Sequence, residues 1–151
     1  YAHIAHDCIL GDEVILANAA TLAGHVVVHN KAVVGGLSAV HQFVRIGESA
    51  YIGGMTGVSQ DVPPFMLVAG ERGWLHGLNT IGLRRQGFTR EDLSTLKHAY
   101  HLIWRSGMRR ADALAEVKKG LDTNNPRLAK LVEFVESSSR GIITVKNRCE
   151  E

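Results

Sequence analysis

The sequence predicts a mainly β fold: a parallel β-solenoid over residues 1–65, a connecting segment over 66–88, and a small α-helical bundle over 89–151. Three observations predict it. Aliphatic residues recur at an unbroken spacing of six through the first sixty positions, paired prolines follow that run, and the second half changes to the three- and four-residue spacing of capped amphipathic helices.

The repeat comes first. Ile4, Leu10, Leu16, Leu22, Val28, Val34, Val40, Ile46, Ile52 and Val58 fall six apart, and all ten are Ile, Leu or Val. Eight of the ten residues that follow them are small, and nothing larger than valine stands two positions before them. Bulk is therefore admitted once per six residues. An α-helical stripe or a two-residue strand alternation cannot produce that period, whereas a parallel solenoid can: the aliphatic points inward, small residues turn the corner, and successive coils pair at about 4.8 Å. At Gln60-Asp61-Val62-Pro63-Pro64-Phe65 the prolines lack backbone donors and are expected to stop strand addition.

Glycines at 70, 73, 77, 82 and 87 mark the connecting segment. Thr89 is expected to cap a helix with Glu91 and Asp92 in its first turn, Leu93, Leu96, Tyr100, Ile103 and Trp104 on one face, and Gly107 as its stop. A second helix is expected over about 110–121, and a third from Asn125 as cap with Pro126 at its first position.

Composition narrows the class. With 151 residues, 45% hydrophobic and 21% charged, the chain can bury a core without disulfides or a structural metal. Cys8 and Cys149, isolated from each other, form neither a disulfide framework nor a CxxC site, which suits a reducing, cytoplasmic setting. No apolar run approaches the roughly 18 residues of a membrane span. Residues 1–75 hold three Lys/Arg against six Asp/Glu and residues 76–151 fourteen against nine, so the second half suits an anionic partner. The chain opens without methionine and in mid-pattern, so preceding coils are expected to be absent.

The six-residue pattern resembles the hexapeptide-repeat transferases, and the resemblance implies a left-handed β-helix with three flat sides and eighteen residues per coil. Three corners then stack. The second (11–13, 29–31, 47–49) is mixed in charge, and the third (17–19, 35–37, 53–55) is nearly stripped of side chains and suited to close approach by a subunit or an apolar ligand. The first collects Ala5-His6-Asp7, Ala23-Gly24-His25 and His41-Gln42-Phe43, with His3 just before it. A neutral imidazole, with an ordinary pKa near 6.5, can take a proton from an attacking hydroxyl or amine, and His6 is the expected general base. No Ser, Cys or Thr stacks beside it, which favours direct attack over a covalent acyl-enzyme. The Gly24 N–H is a candidate oxyanion donor, and Asp7 can orient an imidazole. Zinc held by histidines, as in the γ-class carbonic anhydrases of similar architecture, is the metal alternative, but His29 falls at another corner from His25 and His41. A non-catalytic scaffold is the remaining alternative.

The strings Ala2-His3-Ile4-Ala5-His6-Asp7-Cys8, Leu22-Ala23-Gly24-His25-Val26, Ala39-Val40-His41-Gln42-Phe43, Gln60-Asp61-Val62-Pro63-Pro64, Gly77-Leu78-Asn79 and Gly82-Leu83-Arg84-Arg85 closely resemble the acyl-ACP:UDP-N-acetylglucosamine O-acyltransferases, enzymes that open lipid A biosynthesis. The resemblance runs from Tyr1 to about Ile143. It implies that His6 deprotonates the sugar 3-hydroxyl, which attacks a 3-hydroxyacyl thioester carried on the phosphopantetheine of acyl carrier protein, with Gly24 at the oxyanion and no bound cofactor or metal. It further implies substrate binding by His25, His41 and Gln42, support from His3 and Asp7, Gly54 at the end of the acyl groove, nucleotide or carrier contacts from Asn79 and Arg85, and a homotrimer with sites between subunits. Ile81 stands where the family usually has an acidic residue and Gln86 where it usually has a basic one, so a 3-amino sugar acceptor and amide formation remain an alternative.

Overall fold

The computed structural model describes residues 1–120 and 124–146. Ten two-residue strands follow the predicted period: β1 (His3–Ile4), β2 (Ile9–Leu10), β3 (Ile15–Leu16), β4 (Thr21–Leu22), β5 (Val27–Val28), β6 (Val33–Val34), β7 (Ala39–Val40), β8 (Arg45–Ile46), β9 (Tyr51–Ile52) and β10 (Gly57–Val58). Strands β1 to β7 each pair in parallel with the strand eighteen residues on, His3 with Thr21 and Ile4 with Leu22 for example, so the coils form three flat sheets. The second residue of each strand points inward. Leu22, Val28, Val34, Ile46 and Ile52 are fully buried, whereas Ile4 and Leu10 of the first coil are exposed.

The corners carry a feature that no residue preference advertises. Asp7, Glu13, Ala19, His25, Lys31, Leu37, Phe43, Ser49 and Met55, again six apart, all adopt positive φ between 55° and 65°. Such a conformation costs an L-residue roughly 1–2 kcal/mol. From the second coil on it is held because the corner amide reaches the preceding coil: His25 N–H donates to His6 O, Phe43 to Gly24 O and Met55 to Gly36 O.

The prolines do not end strand addition. They occupy a corner, where no ladder donor is needed, and Pro64 packs so closely on Gly47 that a side chain there would meet its backbone at 2.3 Å. The chain then adds β11 (Met66–Ala69) in parallel to β9, with Leu67 opposite Tyr51. What covers the new edge is β12 (Trp74–Leu78), antiparallel to β11 in a hairpin. The connecting segment is thus largely regular, and also carries α1 (Thr80–Arg85).

The Thr89 cap is present as a capping box with Asp92 and opens α2 (Arg90–Tyr100), which passes into a π-helical turn (His101–Arg105) before Gly107. The helices α3 (Arg110–Gly120) and α4 (Pro126–Glu136) follow, the latter with Asn125 accepting from the Arg127 and Leu128 amides. Residue 121, the expected end of α3, and Cys149 lie outside the described residues. Cys8 is half-buried and donates to Ala23 O at 3.1 Å. No helix among the described residues is long and apolar enough to cross a membrane.

A polar clasp joins the helices to the coils. Asp61, 1% exposed, accepts from the Arg45 backbone at 2.8 Å, from Arg45 Nε at 3.2 Å and from Ser138 Oγ at 2.8 Å. The Arg45 guanidinium also covers the Phe134 ring at 4.4 Å and donates to Phe134 O and Ser137 Oγ. The chain after α4 is then drawn back along the solenoid: Asp61 N–H donates to Gly141 O and Ile143 N–H to Asp61 O.

Candidate active site

The coil register decides which side chains meet at the first corner. Asp7, His25 and Phe43 share the positive-φ position of three successive coils, so they stack in one column, with His25 and Phe43 rings 4.9 Å apart and 14° from parallel. His6, Gly24 and Gln42 form the adjoining column. Because Gly24 has no side chain, the His6 ring leans over its backbone; a Cβ at residue 24 would lie 2.6 Å from His6 Cε1 and 2.7 Å from Nε2. The empty position on the middle coil makes room for the imidazole of the first.

His6 Nδ1 lies 2.9 Å from Asp7 Oδ2. The Asp7 carboxyl is held below its ordinary pKa by this hydrogen bond and by the nearby His25, so it is ionised at neutral pH and accepts. The neutral His6 ring therefore carries its proton on Nδ1 and presents an unprotonated Nε2 beside Gly24. Among the described residues no acceptor meets the Gly24 N–H. An accepting nitrogen and a free amide donor consequently stand side by side on one exposed ridge. His25 completes the cluster, edge-on to His6 at 5.0 Å and with Nε2 3.9 Å from Asp7 Oδ2.

His41 occupies the column of Ala5 and Ala23 on the third coil, and Gln42 follows it, exposed. His3 stands at the outward position of β1, in a row with Thr21, Ala39 and Gly57. Thr21, Ala39 and Gly57 of that row, but not His3, floor a groove of about 1180 Å³ flanked by Ala23 and His41, with Ser59, Gln60, Arg72, Trp74 and Lys146 along its walls. Its far end is the hairpin loop, which closes tightly because Gly57 and Gly73 touch through backbone: Gly73 N–H donates to Gly57 O at 2.8 Å.

Other expected residues sit elsewhere. Gly54 lies at the third corner against Gly36. Asn79 is buried, its amide donating to Ser49 O and its oxygen capping α1 through Gly82 N–H. Arg85 ends α1, exposed, and Gln86 after it accepts from Ser49 Oγ at 2.6 Å. Ile81 is 67% exposed. His29 packs edge-on to Phe134 at the second corner, so the three-histidine zinc set is not assembled. Among the described residues the group able to offer three ligand atoms to a cation is His6, Asp7 and His25, all within 4.8 Å. Of the basic residues in the helical half, Arg109, Lys118 and Lys119 are spent on Asp112, Glu136 and Glu116, whereas Arg84, Arg85, Arg90 and Arg110 form no ion pair with the described residues. Sequence reasoning missed Phe43 as the ring under His25, and it missed Arg140, whose guanidinium reaches His41 Nδ1 at 2.7 Å. An aromatic in the corner column was a readable signal for the first; nothing local marks the second.

Known proteins agree with this architecture. The family model described as UDP N-acetylglucosamine O-acyltransferase, domain 2, matches residues 61–143. The acyl-[acyl-carrier-protein]–UDP-N-acetylglucosamine O-acyltransferase of Anaeromyxobacter dehalogenans is 46% identical over 141 residues, 93% of this chain and 54% of that protein. Among solved structures, the UDP-N-acetylglucosamine acyltransferase of Francisella novicida matches with a TM-score of 0.92 at 35% identity, covering 97% of this chain and 54% of its own. That of Arabidopsis matches with a TM-score of 0.89 at 42% identity, covering 95% and 52%. This chain belongs to the UDP-N-acetylglucosamine O-acyltransferase family. It spans about half the length of the curated relatives it matches.

Proposed function

We propose that the protein transfers a 3-hydroxyacyl chain from acyl carrier protein to the 3-position of UDP-N-acetylglucosamine, the opening step of lipid A biosynthesis, in the cytoplasm. Residues 1–65 supply the chemistry, and docking for the acidic carrier comes from Arg84 and Arg85 of the connecting segment 66–88 and from Arg90 and Arg110 of the helical part over 89–151, none of which forms an ion pair with the described residues. The observation that carries the proposal is the His6–Asp7 pair at 2.9 Å, with His6 Nε2 beside the Gly24 backbone, whose N–H meets no acceptor among the described residues.

In this mechanism His6 Nε2 accepts the proton of the sugar 3-hydroxyl as its oxygen attacks the thioester carbonyl carbon. Gly24 N–H receives the developing oxyanion, and Asp7 steadies the imidazolium. Collapse breaks the C–S bond, and His6 returns the proton to the departing phosphopantetheine thiolate. No bound cofactor enters. His3, His25, His41 and Gln42 line the acceptor and donor path. Gly54, Asn79 and Arg85 lie off this ridge in one chain, and in a homotrimer they would meet the ridge of a neighbouring subunit.

The test is a His6→Ala variant of the full-length protein assayed with a panel of 3-hydroxyacyl carrier proteins and both UDP-N-acetylglucosamine and its 3-amino analogue. Turnover should fall by about 10²–10⁴, the usual contribution of a general base, with the thermal melt unchanged. Near-normal turnover ends the assignment, as would activity abolished by a chelator alongside stoichiometric metal. A product that resists mild alkali identifies the amide-forming alternative.

A further inference from the structure

Arg140 and Gln42 make incompatible demands on one nitrogen. His41 Nδ1 lies 2.7 Å from an Arg140 terminal nitrogen and 3.2 Å from Gln42 O. A guanidinium has five donors and no acceptor, and stays protonated at every accessible pH. Facing it, Nδ1 must be the unprotonated nitrogen. Facing the Gln42 carbonyl, Nδ1 would have to carry the proton. The arginine contact is shorter and charge-assisted, and a proton on Nδ1 would set two donors against each other at 2.7 Å.

We infer that Arg140 is a positioning residue that holds neutral His41 with its proton on Nε2, turning that ring into a hydrogen-bond donor at the mouth of the groove. Asp7 imposes the opposite arrangement on His6, whose Nε2 accepts. A carboxylate fixes one histidine of the ridge and a guanidinium the other, so two chemically identical rings offer the substrate opposite hydrogen-bonding capacity. The donor ring suits an oxygen acceptor on the ligand, such as a carbonyl or phosphoryl oxygen, and cannot duplicate the role of His6.

The placement is built rather than incidental. Arg140 Nε donates to Ser59 O at 2.9 Å, fixing the guanidinium plane. The next residue, Gly141, adopts a φ of 94° and its carbonyl accepts from Asp61 N–H. Asp61 is in turn clasped by Arg45 and Ser138. The tail that follows α4 thus delivers one cation across ninety-nine positions of sequence to the catalytic ridge.

The inference concerns the proton position and stands whether or not acyl transfer is the reaction. Long-range proton–nitrogen NMR of the full-length protein, labelled with ¹⁵N-histidine and assigned by a His41→Gln variant, reads it at a pH where the ring is neutral. In the unaltered protein His41 Nδ1 should resonate as the unprotonated nitrogen and Nε2 as the protonated one. In Arg140→Met, which has no donor, the Gln42 carbonyl is the remaining partner of Nδ1, and the pattern should switch to a protonated Nδ1. Arg140→Lys, which restores a donor, should recover the original pattern. A protonated Nδ1 in the unaltered protein, or a pattern that Arg140→Met leaves unchanged, overturns the inference. If Arg140→Met loses its fold, the unaltered protein and Arg140→Lys still decide the question.

Discussion

Gly24→Ala tests the ridge with a single methyl group. The added carbon would sit 2.6 Å from His6 Cε1 and 2.7 Å from Nε2, against the roughly 3.5–4.0 Å that carbon atoms prefer, so the imidazole must withdraw by about 1 Å. The backbone tolerates the change, since Gly24 does not adopt positive φ, and the His6 side chain, 72% exposed, has water to move into. Stability should therefore change by less than about 0.5 kcal/mol. Rate should not be spared: a 1 Å misplacement of a reacting group costs about 10²-fold, or about 2.7 kcal/mol of barrier. The amide proton of residue 24 is retained, so the loss reports on the position of His6 and not on the oxyanion donor. The assay is kcat of the full-length Gly24→Ala protein with acyl carrier protein donor, repeated in a His6→Ala background as a double-mutant cycle. The methyl should cost nothing once the ring is gone. A kcat within threefold of the unaltered protein, or an equal loss with and without His6, refutes the reasoning.

Three further outcomes are expected. Asp7→Asn removes the acceptor that places the His6 proton on Nδ1, and kcat should drop on the order of 10²–10⁴ with no change in melting temperature, as carboxylate-to-amide changes beside a catalytic imidazole do. Asp61→Ala strips Arg45 and Ser138 of a buried acceptor and should destabilise the protein by about 3–5 kcal/mol, read as a lowered urea midpoint. Burial first, then the Arg45 cation, lowers the His29 pKa; Glu48 opposes them and Lys130 adds to them. The fold thus favours the neutral ring, and its contribution is present above the unfolded value near 6.5 and lost as acidification protonates it. Melting temperature should accordingly fall as pH drops below about 6.5, and His29→Phe should flatten that part of the profile.

The first corner was legible because a solenoid converts sequence period directly into spatial register. Once eighteen residues make a coil, His6, Gly24 and Gln42 must share a column, and so must Asp7, His25 and Phe43. The helix caps at Thr89 and Asn125 were legible for a local reason, since a side-chain oxygen meets amides only two or three residues on. The prolines misled because their missing donors matter only in a ladder, and they fall at a corner, leaving the following segment free to add β11 beside β9.

By itself the sequence determined the repeat, the inward aliphatic ladder, the stacked polar ridge and the helical second half, all of which rest on contacts at fixed short intervals along the chain. Only the tertiary structure decided that Asn79 is buried as a cap, that Arg45 and Asp61 clasp the tail, and that Arg140 arrives beside His41. Those contacts join segments with no common period, where loop closure and packing of the helices on the coils set the register, and no residue spacing encodes that.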